Sequence, residues 1–202
     1  MGREGVSGGR NMLQRIYLIR HGETEWSLSG QHTSRTDIPL TVRGENGARE
    51  LGRRLRGIQF ARVFSSPRQR ARRTCELAGL GSAAEIEPDL AEWDYGDYEG
   101  RRSAEILQAR PDWNLFRDGC PNGESPAQIS KRADQLIARL RVLGGNIALF
   151  SHGHFVRLLA TRWIGLAVSE AQRFLLDTTS LSILGYEHDH VESPVIALWN
   201  SI

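Results

Sequence analysis

Short apolar runs alternate along the chain with longer stretches in which apolar side chains recur at helical spacing. The first run, residues 15–20, is rich in aliphatic and aromatic side chains and predicts a buried strand. Residues 146–150 contain four consecutive apolar side chains, which is typical of a central strand in a parallel sheet. Further strands are predicted at residues 62–65, 84–87, 181–186 and 195–199.

Helices are predicted between these strands. In residues 41–56 and 125–140, apolar side chains fall on one helical face, and Ser125 is a candidate N-cap for the second segment. Shorter helices are predicted at residues 67–77, with Ser66 as N-cap, and at 103–109 and 155–164. The alternation predicts an α/β fold of three layers, with a mostly parallel central sheet and helices on both faces.

Three predicted strands are followed by groups suited to phosphate. The first ends in Arg20 and His21, the second precedes a helix that carries Arg70, and the central one precedes His152. Because the carboxyl ends of parallel strands lie at the same edge of a sheet, we expect these groups to meet there. Guanidinium groups bind phosphate oxygens bidentately, so the sequence predicts a pocket for a phosphate dianion.

Phosphoryl transfer needs a nucleophile, donors for the equatorial oxygens and a proton for the leaving oxygen. His21 is the candidate nucleophile, with Arg20, Arg70 and His152 as the candidate donors. The proton has several candidate sources in the polar loop at residues 88–100. They are Glu92, Asp94, Asp97 and Glu99.

The 202 residues suit one domain, which we place at residues 13–202. Residues 1–12 hold four glycines and no apolar segment, and they predict a disordered tail or a remnant of added sequence. Neither of the two cysteines belongs to a CxxC pair, and the simplest interpretation is two free thiols in a cytoplasmic protein, with a single disulfide as the alternative. No apolar run is long enough to cross a membrane.

Charge and composition limit the classes of partner that we expect for this protein. The formal net charge is only +2, and the arginines at residues 68–73 have no aromatic residues between them, so we expect no nucleic-acid partner. His152 and His154 form an HxH pair, and no further ligand has matching spacing, so we expect neither a metal nor a cofactor. The expected partner is a small phosphorylated metabolite, bound by a monomer or a homodimer.

The chain resembles the histidine phosphatase superfamily, the phosphoglycerate mutase-like enzymes. The resemblance rests on four segments in the family's order: residues 18–26, 65–71, 92–96 and 152–154. It implies the phosphoglycerate mutase-like fold and a metal-independent phosphatase that works through a phosphohistidine. It also implies His21 as the phosphorylated residue, Glu92 as acid and base, and Arg20, Arg70 and His152 as phosphate holders.

Residues 26–33 and 95–100 resemble the branch of small sugar-phosphate phosphatases of the sedoheptulose bisphosphatase type. The substrate-binding residues expected on this basis are Gly22, Ser27, His32, Thr33, Tyr95, Gly153 and Arg157. Arg157 has an equally weighted alternative, a structural ion pair. Two other functions remain as alternatives: a cofactor-dependent phosphoglycerate mutase, and a phosphate-binding module without turnover. The short segment between Glu92 and His152 favours a phosphatase over a mutase.

Overall fold

The computed structural model describes residues 14–202, so the tail predicted at residues 1–12 lies outside the described part of the chain. The strands within that part are β1 (Arg15–Arg20), β2 (Phe60–Ser65), β3 (Ala84–Ile86), β4 (Asn146–Ser151), β5 (Leu181–Tyr186) and β6 (Pro194–Ser201). They form a sheet in the order β3-β2-β4-β1-β5-β6. The first four strands of that order run parallel to one another, and β5 pairs antiparallel with both β1 and β6. Only β5 therefore runs against the other strands described here, which confirms the mostly parallel sheet.

The helices agree with the apolar patterns except in two loops. They are α1 (Glu25–Ser29), α2 (Val42–Arg54), α3 (Gln69–Leu77), α4 (Ser103–Ala109), α5 (Leu115–Asp118), α6 (Pro126–Arg141) and α7 (Gly153–Trp163). The short helices α1 and α5 were not predicted, because helices of five and four residues are too short to show apolar periodicity. α1 begins at a capping box in which Thr24 and Ser27 exchange side-chain and backbone hydrogen bonds.

Alternate side chains of β1 enter two different cores. Ile16 and Leu18 pack with residues of α6 and α7 on one face of the sheet. Tyr17 and Ile19 pack with residues of α2 and α3 on the other face. This alternation follows from the two-residue period of a strand, and it confirms a sheet that is covered by helices on both faces.

The prediction that Ser66 caps α3 is wrong. α3 begins at Gln69, and the N-cap residue is Arg68, whose side chain makes no capping hydrogen bond. A different loop supplies the cap, because the Gln69 N–H donates to Oδ1 of Asp37 at 2.8 Å. The Ser66 hydroxyl instead lies 2.7 Å from Nε2 of His152.

The carboxyl ends of β1, β2 and β4 lie level with one another. The His21 N–H donates to the Ser151 carbonyl at 2.9 Å, and the Ser66 N–H donates to the Phe150 carbonyl at 2.9 Å. The ladder therefore continues by one residue beyond each strand end. This register brings the residues that follow the three strands to one edge of the sheet.

Candidate active site

His21 lies directly after β1 and is only 6% exposed. Its Nδ1 is 2.7 Å from the carbonyl oxygen of Gly22, which can only accept a hydrogen bond, so Nδ1 carries the proton. Burial lowers the pKa of His21 well below 6.5, and the charges of Arg70 and Arg20 lower it further. The imidazole is therefore neutral, and its Nε2 has a free lone pair.

Two guanidinium groups flank His21. Arg20 donates through Nη1 to the Leu176 carbonyl, and the fully buried Arg70 donates to carbonyl oxygens in residues 33–36. The Nε atoms of both arginines are buried without a partner among the described residues. Buried donors cost free energy when they are unpaired, so an anion held beside His21 would stabilise this arrangement.

Glu99 stabilises the loop at residues 33–36, whose carbonyl oxygens accept hydrogen bonds from Arg70. The Glu99 carboxylate accepts the N–H groups of Ser34 at 2.9 Å and Thr36 at 3.0 Å. Arg70 donates to the carbonyls of Thr36 and Thr33, each at 3.0 Å. Glu99 therefore fixes the loop and, through it, the orientation of the guanidinium.

His152 provides a second neutral imidazole at the end of β4. Its ring centroid is 5.2 Å from that of His21, and its Nε2 is 2.7 Å from Oγ of Ser66. Ser66 Oγ accepts the Arg68 N–H at 3.4 Å, so the buried hydroxyl proton is donated to Nε2 of His152. The His152 proton is then on Nδ1, which is buried and has no partner in residues 14–202.

Arg68 also belongs to this basic cluster. Burial lowers the pKa of His152 well below 6.5, and the charges of Arg70, Arg68 and Arg20 add to the effect. Arg68 also has a buried Nε without a partner in the described part of the chain. The cluster thus combines three guanidinium groups with two imidazoles that remain uncharged.

Glu92 is 6% exposed and lies at the N-terminus of α7. Its Oε1 accepts the N–H groups of Trp93 at 2.9 Å and Phe155 at 2.8 Å. Its Oε2 accepts the His154 N–H at 3.0 Å. Of the four acidic candidates in residues 88–100, Glu92 is the one that lines the cavity next to His21.

That cavity has a volume of about 260 Å³ and opens at the carboxyl edge of the sheet. The predicted residues that line it are Arg20, His21, Ser27, His32, Thr33, Glu92, Tyr95, Gly153 and Arg157. Seven residues that were not predicted as site residues line it as well: Thr24, Trp26, Gly30, Gln31, Ser103, His154 and Leu176. Ser103 and Leu176 come from distant segments that carry no motif. His154 could have been predicted as a site residue, because it belongs to the HxH pair that follows a predicted strand.

Two residues that were predicted to contact the substrate, Gly22 and Ser27, make hydrogen bonds within the protein instead. Gly22 is not among the cavity-lining residues, and its N–H donates to Oγ1 of Thr74 at 2.9 Å. A Cβ at Gly22 would lie 2.6 Å from the Gly44 carbonyl oxygen, so glycine is needed for close backbone packing. Ser27 does line the cavity, but its hydroxyl donates to the Thr24 carbonyl at 2.8 Å.

Arg157 enters the cavity from α7. Its Nε donates to the Ala171 carbonyl at 3.1 Å and its Nη2 to the Gln172 carbonyl at 3.0 Å. The guanidinium carbon is 4.8 Å from the centre of the Phe116 ring. These contacts hold the group in place by carbonyl oxygens and an aromatic face rather than by a carboxylate. Its positive charge therefore remains available to a ligand in the cavity.

Within residues 14–202, no three His, Cys, Asp or Glu side chains are grouped closely enough to hold a metal ion. The helices described in the same range include none that is long and apolar enough to cross a membrane.

Comparison with known proteins shows which family and which relatives this chain is similar to. The family described as the histidine phosphatase superfamily (branch 1) matches residues 16–201. An acid phosphatase from Mycobacterium tuberculosis is 43% identical, and the match covers 95% of each chain. A sedoheptulose 1,7-bisphosphatase from Saccharomyces cerevisiae is 33% identical, with 93% of each chain covered.

Solved structures share the architecture. The structure of the product of an open reading frame from Mycobacterium tuberculosis superposes with a TM-score of 0.88 at 40% identity. That match covers 95% of this chain and 98% of the other. The similarity therefore extends over the sheet, both helical layers and the loops that surround the cavity.

Proposed function

Because the chain belongs to the histidine phosphatase superfamily and its relatives include an acid phosphatase and a sugar bisphosphatase, we propose that this phosphomonoester hydrolase acts on a sugar phosphate or a related small metabolite through a phosphohistidine at His21. One observation carries this proposal: a neutral imidazole with a free Nε2 lies beside two guanidinium groups whose Nε donors have no protein partner among the described residues. A nucleophile and a set of anion donors are thus preorganised around one point.

In the first step, Nε2 of His21 attacks phosphorus and the bond from phosphorus to the ester oxygen breaks. Arg20, Arg70 and Nδ1–H of His152 donate to the three phosphoryl oxygens as charge develops on them. Glu92 enters this step protonated and donates that proton to the leaving oxygen. Oε2 is the oxygen suited to carry the proton, because it accepts one backbone N–H whereas Oε1 accepts two.

In the second step, the Glu92 carboxylate removes a proton from water as the water oxygen attacks the phosphohistidine. The N–P bond breaks, and inorganic phosphate leaves. His21 is again neutral and Glu92 is again protonated, so the cycle closes without a metal ion.

The cavity supports a small substrate. Its volume of about 260 Å³ is below the usual range of pockets for drug-sized ligands. The yeast relative is named for a sugar bisphosphate, and Arg157 lies in the cavity where a second anionic group of such a substrate would bind. Both cysteines are buried free thiols, which supports our proposal of a reducing, cytoplasmic location.

Phosphate release from a panel of sugar phosphates and an aryl phosphate tests the function. We expect turnover that survives exhaustive treatment with a chelator, because guanidinium groups hold the phosphate here. Loss of activity that a divalent ion restores would contradict the metal-independent mechanism. Isomerisation of phosphoglycerate without phosphate release would favour the mutase, and binding without turnover would favour the binding module.

The protonation state of His21 can be measured directly by ¹⁵N NMR. The neutral form is the nucleophile, and a lowered pKa keeps that form populated as the pH falls below 6.5. We expect His21 at pH 5.5 to be neutral with its proton on Nδ1, while free imidazole in the same buffer is mostly protonated. A doubly protonated His21 at that pH, or a proton on Nε2, would contradict the assigned nucleophile.

Arg157→Ala tests whether this arginine binds a second anion. A charged hydrogen bond contributes about 1.5–3 kcal/mol, so kcat/KM for a sugar bisphosphate should fall about 10- to 100-fold. The value for an aryl phosphate should change less than about threefold, because that substrate has no second anion. Equal losses for both substrates would assign Arg157 a structural role in holding the Ala171 and Gln172 carbonyls.

A further inference from the structure

Three side chains form one wall of the cavity, which we call the imidazole wall: His32, Tyr95 and His154. The His32 ring centroid is 4.6 Å from that of Tyr95 and 5.9 Å from that of His154. The Tyr95 hydroxyl is 2.6 Å from Nδ1 of His154. All three residues line the cavity, and the mechanism above uses none of them.

The hydrogen bond between Tyr95 and His154 fixes where each proton lies. Burial raises the pKa of Tyr95 well above 10, so the phenol keeps its proton and donates it to Nδ1 of His154. Burial lowers the pKa of His154 well below 6.5, with a further contribution from Arg157. The neutral His154 ring therefore carries its single proton on Nε2.

The Nε2–H of His154 is available to a ligand. Nε2 has no hydrogen-bond partner in the described residues. It is nevertheless accessible, because it is not one of their fully buried unpaired atoms and the His154 side chain is 25% exposed. His32 adds a second neutral ring, because burial lowers its pKa to about 4. Its Nε2 lies 3.3 Å from the Ser103 hydroxyl, which also lines the cavity.

The wall lies beside the group that protonates the leaving oxygen. The His154 N–H donates to Oε2 of Glu92, and Nδ1 of His154 is 4.0 Å from the same oxygen. A substrate whose ester oxygen contacts Glu92 therefore places the neighbouring carbon of its alcohol next to the imidazole ring.

We propose that His154, oriented by Tyr95, is a specificity-determining residue that donates a hydrogen bond to a hydroxyl on the carbon next to the phosphate ester. The inference rests on the proposed function and deepens it, because it defines the alcohol that leaves. Uncharged rings with one N–H each match a hydroxyl group, whereas a second anion matches Arg157. A leaving alcohol without that hydroxyl leaves the Nε2–H unpaired in a desolvated site, which costs free energy.

Two phosphate esters that differ in hydroxyl groups alone test the inference: glycerol 3-phosphate and propyl phosphate. For the wild-type protein we expect kcat/KM to be about tenfold or more in favour of glycerol 3-phosphate, the factor given by one well-formed hydrogen bond. His154→Phe should bring this ratio close to one, because phenylalanine fills the space without a donor. His154→Gln should restore part of the preference, since its amide donates again.

The ratio of two substrates on one sample is independent of the fraction of protein that is folded. Tyr95→Phe provides a second variant, because it removes the donor to Nδ1 but keeps the ring, and the ratio should fall severalfold. His190→Gln is the matched control, since the His190 side chain is 64% exposed, and the wild-type ratio should persist.

The outcomes separate this inference from the function on which it rests. Suppose that the wild-type protein hydrolyses an aryl phosphate. If it then shows no preference between glycerol 3-phosphate and propyl phosphate, or hydrolyses neither of these two esters, the inference is wrong and the proposed function stands. A preference that survives in His154→Phe also overturns it. If none of the three substrates is hydrolysed, both the inference and the proposed function are wrong.

Discussion

Glu92→Gln should lower the rate of phosphoryl transfer from alkyl phosphates about 10²- to 10⁴-fold, the range for loss of a general acid. The substituted amide fits the same space but has no proton to give to a poor leaving group. An aryl phosphate should transfer its phosphoryl group at nearly the wild-type rate, because an aryl oxide leaves without protonation. Hydrolysis of the phosphohistidine should then be slow, since the base is missing too.

Stopped-flow measurement of Glu92→Gln should therefore show a burst of aryl alcohol equal to the enzyme concentration, followed by slow turnover. Glu50→Gln is the matched control, because Glu50 is 58% exposed on α2, and its rates should equal those of the wild type. Equal slowing of the burst for alkyl and aryl esters would remove Glu92 from the acid role.

His21→Ala should abolish turnover of every phosphate ester, with a loss of about 10⁴- to 10⁶-fold, as expected when a nucleophile is removed from a preorganised site. The loss should be the same for alkyl and aryl substrates, because both need the same attacking nitrogen. This distinguishes the variant from Glu92→Gln, whose first step depends on the leaving group.

Phosphate binding by His21→Ala should persist, since Arg20, Arg70 and His152 remain. Isothermal titration with inorganic phosphate, compared with His190→Ala, measures that binding. Turnover by His21→Ala near the wild-type rate would show that another group attacks phosphorus.

Apolar periodicity and strand ends were sufficient to predict most of the fold. The register of β1 and β4 follows from apolar runs that enter both cores, and Arg20, His21 and His152 lie at the sheet edge because each is at or directly after the end of a strand. Strands β5 and β6 were also predicted, although the antiparallel direction of β5 has no signature in the sequence.

Contacts between distant loops could not be predicted. Asp37 caps α3 across 32 residues, and Glu99 supports the loop of Ser34 across 65. Such contacts depend on the path of polar loops, which have no periodic pattern. For the same reason, the sequence could not predict the hydrogen bond by which Tyr95 orients His154.

The central claim is that phosphate passes through His21. Glu92→Gln, mixed with an aryl phosphate and quenched in base at the end of the burst, should accumulate the covalent intermediate, because phosphohistidine is stable in base. Mass spectrometry of the digested protein should locate one phosphoryl group on His21, in an amount equal to the burst. A phosphoryl group on any other residue, or a burst with no covalent phosphate, would contradict the account.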